Sequence, residues 1–491
     1  MRLLFHHHFG SRLCCQYNNA YSFVYQLKRR IHINPFTPNQ LPEQEIDVPK
    51  THVLHRKLSG ARMFILNRPE KLNALNLAMI RNIAPQLKAW DVSKLAKVIL
   101  MKGANEGKFS VGDDVLDIIH KVNTKDPDAL YYFQEKSSLI QMISTLSTPY
   151  VSILDGYALG GALGLFAHSP FRIATEKTIF SMPEPTMGVI FNAGSSFFLP
   201  KLDGDIGTYL ALTGTRVEGL DAFYAGIATH YVPSSRLLAL EDRLIDLETS
   251  EHEIIQRVLE TFAEPYPTKR IGFSQSIRES IDRCFRHDRM EDIIKALDEE
   301  KQTSWTRETR HKLLAMSPTS LRVTLKALRK SKNMSLIECL KMEFDLMQKF
   351  LVTKDFHEGV DASLLNKPRR KSEWMPPTLK DISDDDIEQL YFTKPSPNAL
   401  KLPSNMDLIN YPYTRFSLPT EEDVRLAITG DGPEFGLEGR LLTAQDVLQW
   451  FEKGHRRKAG VKEKIMDILE RKTTTVNDSN NNPILQWKSY Y

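Results

Sequence analysis

Residues 150–167 read YVSILDGYALGGALGLFA. Val151 to Ala167 is the longest apolar run in the chain, yet it is shorter than the ~20 residues of a membrane span. Asp155 interrupts it, and so do Gly156, Gly160, Gly161 and Gly164. The run therefore reads as a buried strand (Tyr150 to Leu154), a glycine turn and a helix-like segment from Gly161 to Ala167. Outward from it, Ala61 to Leu66 (ARMFIL), Ala96 to Met101 (AKVILM) and Phe171 to Ala174 have the length and apolarity of buried strands. Leu75 to Trp90 carries helical spacing. Strands alternating with helices predict an α/β fold of right-handed β-α units.

From about Ser250 to Leu365 the pattern becomes helical and charge-rich, with Ser317-Pro318-Thr319 as a capping signal before Leu321 to Leu328. Five prolines and the Asp384-Asp385-Asp386 run give residues 367–401 the composition of a linker. Thr420 to Ile428 and Thr443 to Phe451 then read as helices, each opened by a threonine with an acidic or amide residue three positions on, the second a fainter version of a capping box. Thr473 to Tyr491 is polar, Asn-rich and aperiodic, as expected of a flexible or partner-ordered tail.

The 491 residues carry 65 Lys+Arg against 61 Asp+Glu, a net charge of +4. Hydrophobic residues at 41% and charged residues at 26% exclude wholesale disorder and a polytopic membrane protein. No acid occurs before Glu43, whereas Arg2, Arg12, Lys28, Arg29 and Arg30 lie in that stretch. That is the makeup of a mitochondrial transit peptide over residues 1–40; the alternative is a disordered basic tail. The excess positive charge belongs to this segment, and the remainder is nearly neutral. Cys14 and Cys15 lie within it, so Cys284 and Cys339 alone support neither a disulfide framework nor a metal site. GxGxxG, GxxxxGK[ST] and HExxH motifs are missing from the sequence.

Four blocks remain: Asn67-Arg-Pro-Glu-Lys-Leu-Asn-Ala-Leu-Asn76, Phe109-Ser-Val-Gly-Asp-Asp114, Asp155-Gly-Tyr-Ala-Leu-Gly-Gly-Ala162 and Met182-Pro-Glu184. Together they resemble the enoyl-CoA hydratase/isomerase (crotonase) superfamily. Leu212-Thr-Gly214, Ala225 to His230, Met316 to Ser320 and Asp355-Phe-His-Glu-Gly359 narrow the resemblance to its 3-hydroxyisobutyryl-CoA hydrolase branch, over about residues 50–392. The resemblance implies a crotonase-like spiral of ββα turns (50–250), a helical region (251–366) that covers the site, and a carboxy-terminal helical extension (402–491) beyond the linker. It implies no metal or redox cofactor, with a CoA thioester as substrate or vestigial ligand. In that register the backbone N–H groups of Asp113 and Gly161 form the oxyanion hole, Glu184 is the catalytic carboxylate, and Asn73, Ala74, Leu75 and Gly160 line the CoA path. Losing one oxyanion donor costs about 3 kcal/mol.

Three departures bear on activity. Asn192 replaces the branch's second acid and cannot exchange a proton near neutral pH. Lys136 stands where the family has a binding glutamate, with Glu135 beside it in an open register. Asp113 replaces a glycine, and a carboxylate ~5 Å from an oxyanion opposes it by ~3 kcal/mol at an effective dielectric near 20. Gly164 occupies the position of a hydratase glutamate, which disfavours a hydratase or isomerase.

Asn410-Tyr-Pro-Tyr413, Leu418-Pro-Thr-Glu421 and Trp487-Lys488 resemble the extension of fungal mitochondrial family members that serve in the small mitoribosomal subunit. The sequence thus leads to a mitochondrial-matrix component of that subunit with a degenerate site, in contact with its proteins and rRNA and without membrane insertion. The alternative is an active hydrolase of valine breakdown. Lys453, Arg456, Arg457, Lys458, Lys462 and Lys464 are the candidate rRNA-phosphate contacts, with Tyr411, Tyr413, Trp487, Tyr490 and Tyr491 for stacking; otherwise the cluster is a solvated helix face.

Overall fold

The computed structural model describes residues 51–104, 107–263, 273, 275–431, 443–456, 458–477 and 481–488. The expected import segment, Arg457, Tyr490 and Tyr491 lie outside the described residues.

Strands β1 (Val53–Leu58) and β2 (Ala61–Leu66) form an antiparallel hairpin, and β3 (Val98–Gly103) and β4 (Tyr150–Leu154) add to it in parallel. After β5 (Tyr157–Leu159), β6 (Phe171–Ala174), β7 (Ile179–Ser181), β8 (Val217–Glu218) and β9 (His230–Tyr231), the main sheet has the order β1-β2-β3-β4-β6-β9. Both of its faces are covered. Met63, Leu100, Val151 and Phe171 pack with the helices Leu237–Asp246 and His252–Phe262, whereas Phe64, Met101 and Leu154 point into the larger core. Two-sided burial is why these strands read as continuous apolar runs without alternation.

A second sheet, β5-β7-β8, stands beside the first. Isolated parallel bridges, Leu75 to Asp113 and Ser110 to Ala158, continue it backwards through the chain. Each turn of the spiral thus gives one strand to the main sheet, one short segment to the second sheet, and then a helix. The first turn closes on the helix Leu77–Asp91, the second on Val115–Asn123 and Asp128–Ser144. The third and fourth close on 3₁₀ segments, Gly160–Leu165 and Glu184–Met187. The helix expected from Gly161 to Ala167 is therefore a shorter 3₁₀ segment, because glycines at 160, 161 and 164 weaken helix propagation. Successive turns place Leu75, Asp113, Gly161 and Glu184 at equivalent points, just past the second-sheet segments.

The helical region includes Pro318–Ser331, whose first turn is capped by Ser317 Oγ accepting from the Ser320 N–H, then Leu336–Phe350 and Lys354–Val360. Residues 367–401, read as a linker, lie against the body: Trp374 donates to the Ala315 carbonyl, Asp384 meets Arg322, and Tyr391 and Leu400 are buried. In the extension, Glu421–Thr429 and Ala444–Gly454 both open on complete capping boxes, Thr420 with Asp423 and Thr443 with Asp446. A third helix, Val461–Lys472, follows. The supposed aperiodic tail instead forms a hairpin of β10 (Thr473–Asn477) and β11 (Pro483–Trp487). Among the described residues no helix is long and apolar enough to cross a membrane.

Candidate functional site

Asp113, Gly160, Gly161, Glu184 and Asn192 line one partly open cavity of about 40 Å³, together with Val111, Phe133 and Met347. That is room for a few waters and not for a branched acyl group. The turns that build it touch closely. A Cβ on Gly112 would lie 2.6 Å from the Leu159 carbonyl oxygen and 3.0 Å from the Gly161 nitrogen, so the Asp113 and Gly161 segments meet only because residue 112 has no side chain. Gly160 has φ +47°, and a Cβ there would approach Glu184 Oε1 to 2.6 Å. The Glu184 carboxylate is therefore set against the glycine turn.

Glu184 is buried, and its Oε2 has no hydrogen-bond partner among the described residues. Burial pushes its carboxyl up to about 8 and neighbouring Asp113 adds to the push, while its own backbone N–H and the Lys136 charge pull the other way. Such a group exchanges protons readily near neutral pH.

The three departures from the family pattern prove to be partners. Lys136 projects inward from the Asp128–Ser144 helix, where its Nζ pairs with Asp113 Oδ1 and donates to Asn192 Oδ1 at 2.7 Å. Asn192 Nδ2 donates to Asp113 Oδ2 at 3.0 Å, and the Tyr132 hydroxyl donates to Asp113 Oδ1 at 2.6 Å. Glu135 faces outward in a bidentate pair with Arg81, which settles the register left open by the sequence. The opposition expected from Asp113 is thereby corrected, since its charge is met by an ammonium in contact with it. Its carboxylate nevertheless packs on the α-carbon of Gly161, where a Cβ would fall 2.1 Å from Oδ1. A charged, hydrogen-bonded cluster now occupies the flank of the expected oxyanion hole.

Asn73 is buried and spends its side chain on the scaffold: Oδ1 accepts from the Arg68 N–H, and Nδ2 donates to the carbonyls of Lys108 and Phe109. Ala74 and Leu75 are buried beside it, with the Leu75 N–H bonded to the Gly112 carbonyl at 2.7 Å. At Gly164 a Cβ would lie 2.8 Å from Ile140 Cδ1 and 3.2 Å from Ala193 Cβ, so the space of a hydratase glutamate is filled.

Two site residues escaped sequence reading. Tyr132 sits one helical turn before Lys136, a spacing that puts both on one face. Glu343 lies within the apolar stripe Leu336, Cys339, Leu340, Phe344 and Met347, and an acid at such a position is a readable signal. It accepts from the N–H groups of Gly194 and Ser196 and from Ser196 Oγ, and burial pushes it up to about 7 against those bonds.

The basic cluster of the extension divides into two sets. Lys453, Arg456 and Lys462 are exposed, and Arg456 pairs with Glu253 at 3.1 Å. Lys458 and Lys464 are buried and correct the sequence expectation: they are internal anchors and not phosphate contacts. Lys458 pairs with Glu260 at 2.6 Å, and Lys464 pairs with Asp203 and donates to the Tyr224 carbonyl at 2.8 Å. Around Lys464, Arg471 holds Glu421 at 2.7 Å and Lys472 holds Asp282 at 2.6 Å. Burial works to raise the Glu421 carboxyl, but Arg278, Arg471, Lys472 and Lys464 outweigh it and keep the group at about 2. The aromatic residues are likewise engaged. The Tyr411 hydroxyl lies 2.8 Å from His168 Nδ1, Tyr413 stacks on His252 with centroids 4.5 Å apart, and Trp487 packs on the extension's own core.

Comparison with known proteins accords with this geometry. The family model described as enoyl-CoA hydratase/isomerase matches residues 61–391. The small ribosomal subunit protein mS47 of Neurospora crassa is 38% identical over 458 residues, covering 89% of this chain and 88% of the relative. The mitochondrial 3-hydroxyisobutyryl-CoA hydrolase of Homo sapiens is 38% identical over 340 residues, covering 68% and 87%. Among solved structures, a carnitinyl-CoA dehydratase from Mycobacterium thermoresistibile superposes with a TM-score of 0.66 at 29% identity, over 72% of this chain and 99% of its own. A spiral that presents Asp113, Gly161 and Glu184 from successive turns, matched over most of its length by these relatives, makes the chain a member of the enoyl-CoA hydratase/isomerase family.

Proposed function

We propose that this chain is a component of the mitochondrial small ribosomal subunit, built on a 3-hydroxyisobutyryl-CoA hydrolase-like domain whose catalytic site has been refilled. One observation carries the reading. The likeness to the Neurospora crassa ribosomal protein covers 89% of the chain, more than residues 1–401 make up, so it runs into the extension that the human hydrolase match, at 68%, does not require. The small cavity and the Asp113–Lys136–Asn192 cluster support loss of turnover. The protein acts in the matrix, with CoA thioester at most a vestigial ligand and rRNA contact confined to exposed cations such as Lys453 and Lys462. Sucrose-gradient sedimentation of mitochondrial lysate tests this: the protein co-sediments with the small subunit and stays there after a high-salt wash. Recovery only at the top of the gradient overturns it.

A second reading, an active hydrolase, is favoured by the buried, poised Glu184 beside the Gly160–Gly161 turn. Its expected result is thiol release from 3-hydroxyisobutyryl-CoA by the purified protein, abolished by Glu184→Gln. A protein without thioester cleavage, in which Asn192→Asp restores it, rejects this reading.

A further inference from the structure

Lys136, Asp113 and Asn192 form a closed ring of contacts that the hydrolase reading does not use. The lysine Nζ donates to Asn192 Oδ1 at 2.7 Å and to Asp113 Oδ1, and the other oxygen of the same carboxylate accepts from Asn192 Nδ2 at 3.0 Å. One carboxylate thus bridges an amine and the amide nitrogen of a side chain whose carbonyl already faces that amine. Side-chain exposure is 4% for Lys136 and 9% for Asp113, and Asn192 is buried as well. An amine, an amide and a bridging carboxylate held together out of water are the reactants and the proton carrier of an amide exchange. Fixed proximity supplies the largest part of what such a bimolecular step lacks in solution.

We propose that Lys136 and Asn192 are the site of a self-catalysed isopeptide crosslink, with Asp113 as its proton shuttle. Asp113 Oδ1 takes a proton from the ammonium and frees the Nζ lone pair, which attacks Asn192 Cγ. The Nζ–Cγ bond forms and the Cγ–Nδ2 bond breaks. The two protons lost by Nζ pass by way of Asp113 to the departing nitrogen, which leaves as ammonium. No oxidant, metal or water is consumed. The departing group has an exit into the 40 Å³ cavity that Asn192 lines. Tyr132, donating to Asp113 Oδ1, holds the carboxylate in place as a positioning residue. The product ties the Asp128–Ser144 helix to the segment after Glu184–Met187 and closes a covalent loop from 136 to 192.

The test is peptide mapping of the full chain by mass spectrometry after trypsin digestion, since trypsin does not cut after an amidated lysine. The expected result is a branched peptide joining the Lys136 and Asn192 segments, one ammonia lighter than their sum, with the corresponding linear peptides depleted. Lys136→Arg keeps the positive charge without a nucleophilic amine and yields only linear peptides; Asp113→Asn retains the shape and loses the branched species. Full recovery of linear peptides with unmodified Lys136 and Asn192 from the wild-type chain overturns the proposal. A branched peptide undiminished in Asp113→Asn overturns the shuttle. Neither outcome depends on ribosome association or thioesterase activity, so it is independent of the functional reading above.

Discussion

Replacing Lys464 with methionine distinguishes an internal anchor from an RNA contact. The two side chains are similar in length, so packing is largely kept while the charge is lost. Asp203 remains buried, with the Glu421 N–H at 2.8 Å but without the ammonium; lysine and aspartate side chains are each only 7% exposed. Removing one partner of a buried ion pair costs about 3–5 kcal/mol. At about 1.4 kcal/mol per tenfold, that is two to four powers of ten in the equilibrium that opens the docked extension. Global melting blurs the effect in a chain of this size, whereas amide hydrogen exchange reads it locally. Exchange in Val461–Lys472 and Glu421–Thr429 should accelerate by that factor, while the β2 to β4 strands are unaffected. The double variant Asp203→Leu/Lys464→Met should recover much of the loss, because no orphan charge is left. Exchange within threefold of wild type in the single variant, or no recovery in the double, would refute the anchor.

Burial holds Glu184 at about 8, above the ~4.3 of an unfolded chain, so the folded state keeps a proton that the unfolded state releases between those values. Stability from this group falls as pH rises through that window, and Glu184→Gln should match wild type in thermal melts near pH ~5 and exceed it near pH ~9. Gly164→Ala, forced to within 2.8 Å of Ile140, should cost about 1–3 kcal/mol by denaturant titration. Lys453→Ala and Lys462→Ala should each lower the salt slope of small-subunit rRNA binding by about one without changing stability, whereas Lys458→Ala should destabilise the fold by removing the buried ammonium paired with Glu260.

Much of the spiral was legible because its strands are buried on both faces: Ala61–Leu66, Tyr150–Leu154 and Phe171–Ala174 match their apolar runs residue for residue. Caps were legible too, since Ser317, Thr420 and Thr443 signal locally. Long-range compensation was not. Asp113 and Lys136 each look like damage until a helix brings them into contact, and no local pattern announces that pairing. Other features did carry a local signal. Val461, Lys464, Ile465, Ile468 and Leu469 share helical spacing, which places Lys464 on the apolar face. Thr473-Thr-Thr-Val476 and Ile484-Leu485 carry the β-branched signature of a hairpin that the Asn-rich composition concealed.

The lysines that settle the extension, Lys458 and Lys464, are synthesised some 200 residues and more after their partners Glu260 and Asp203 in the body. Until the extension has been made, the body waits with these acids short of their lysines and with Phe223 and Tyr224 lacking the Val424, Phe451 and Ile465 cover. A chain cut short before residue 402 is consequently no spare catalytic domain. It carries an exposed apolar face flanked by carboxylates that lack their lysines, the surface that chaperones and proteases survey. Quality control can thus distinguish a chain that carries the helices Ala444–Gly454 and Val461–Lys472 from one interrupted before them.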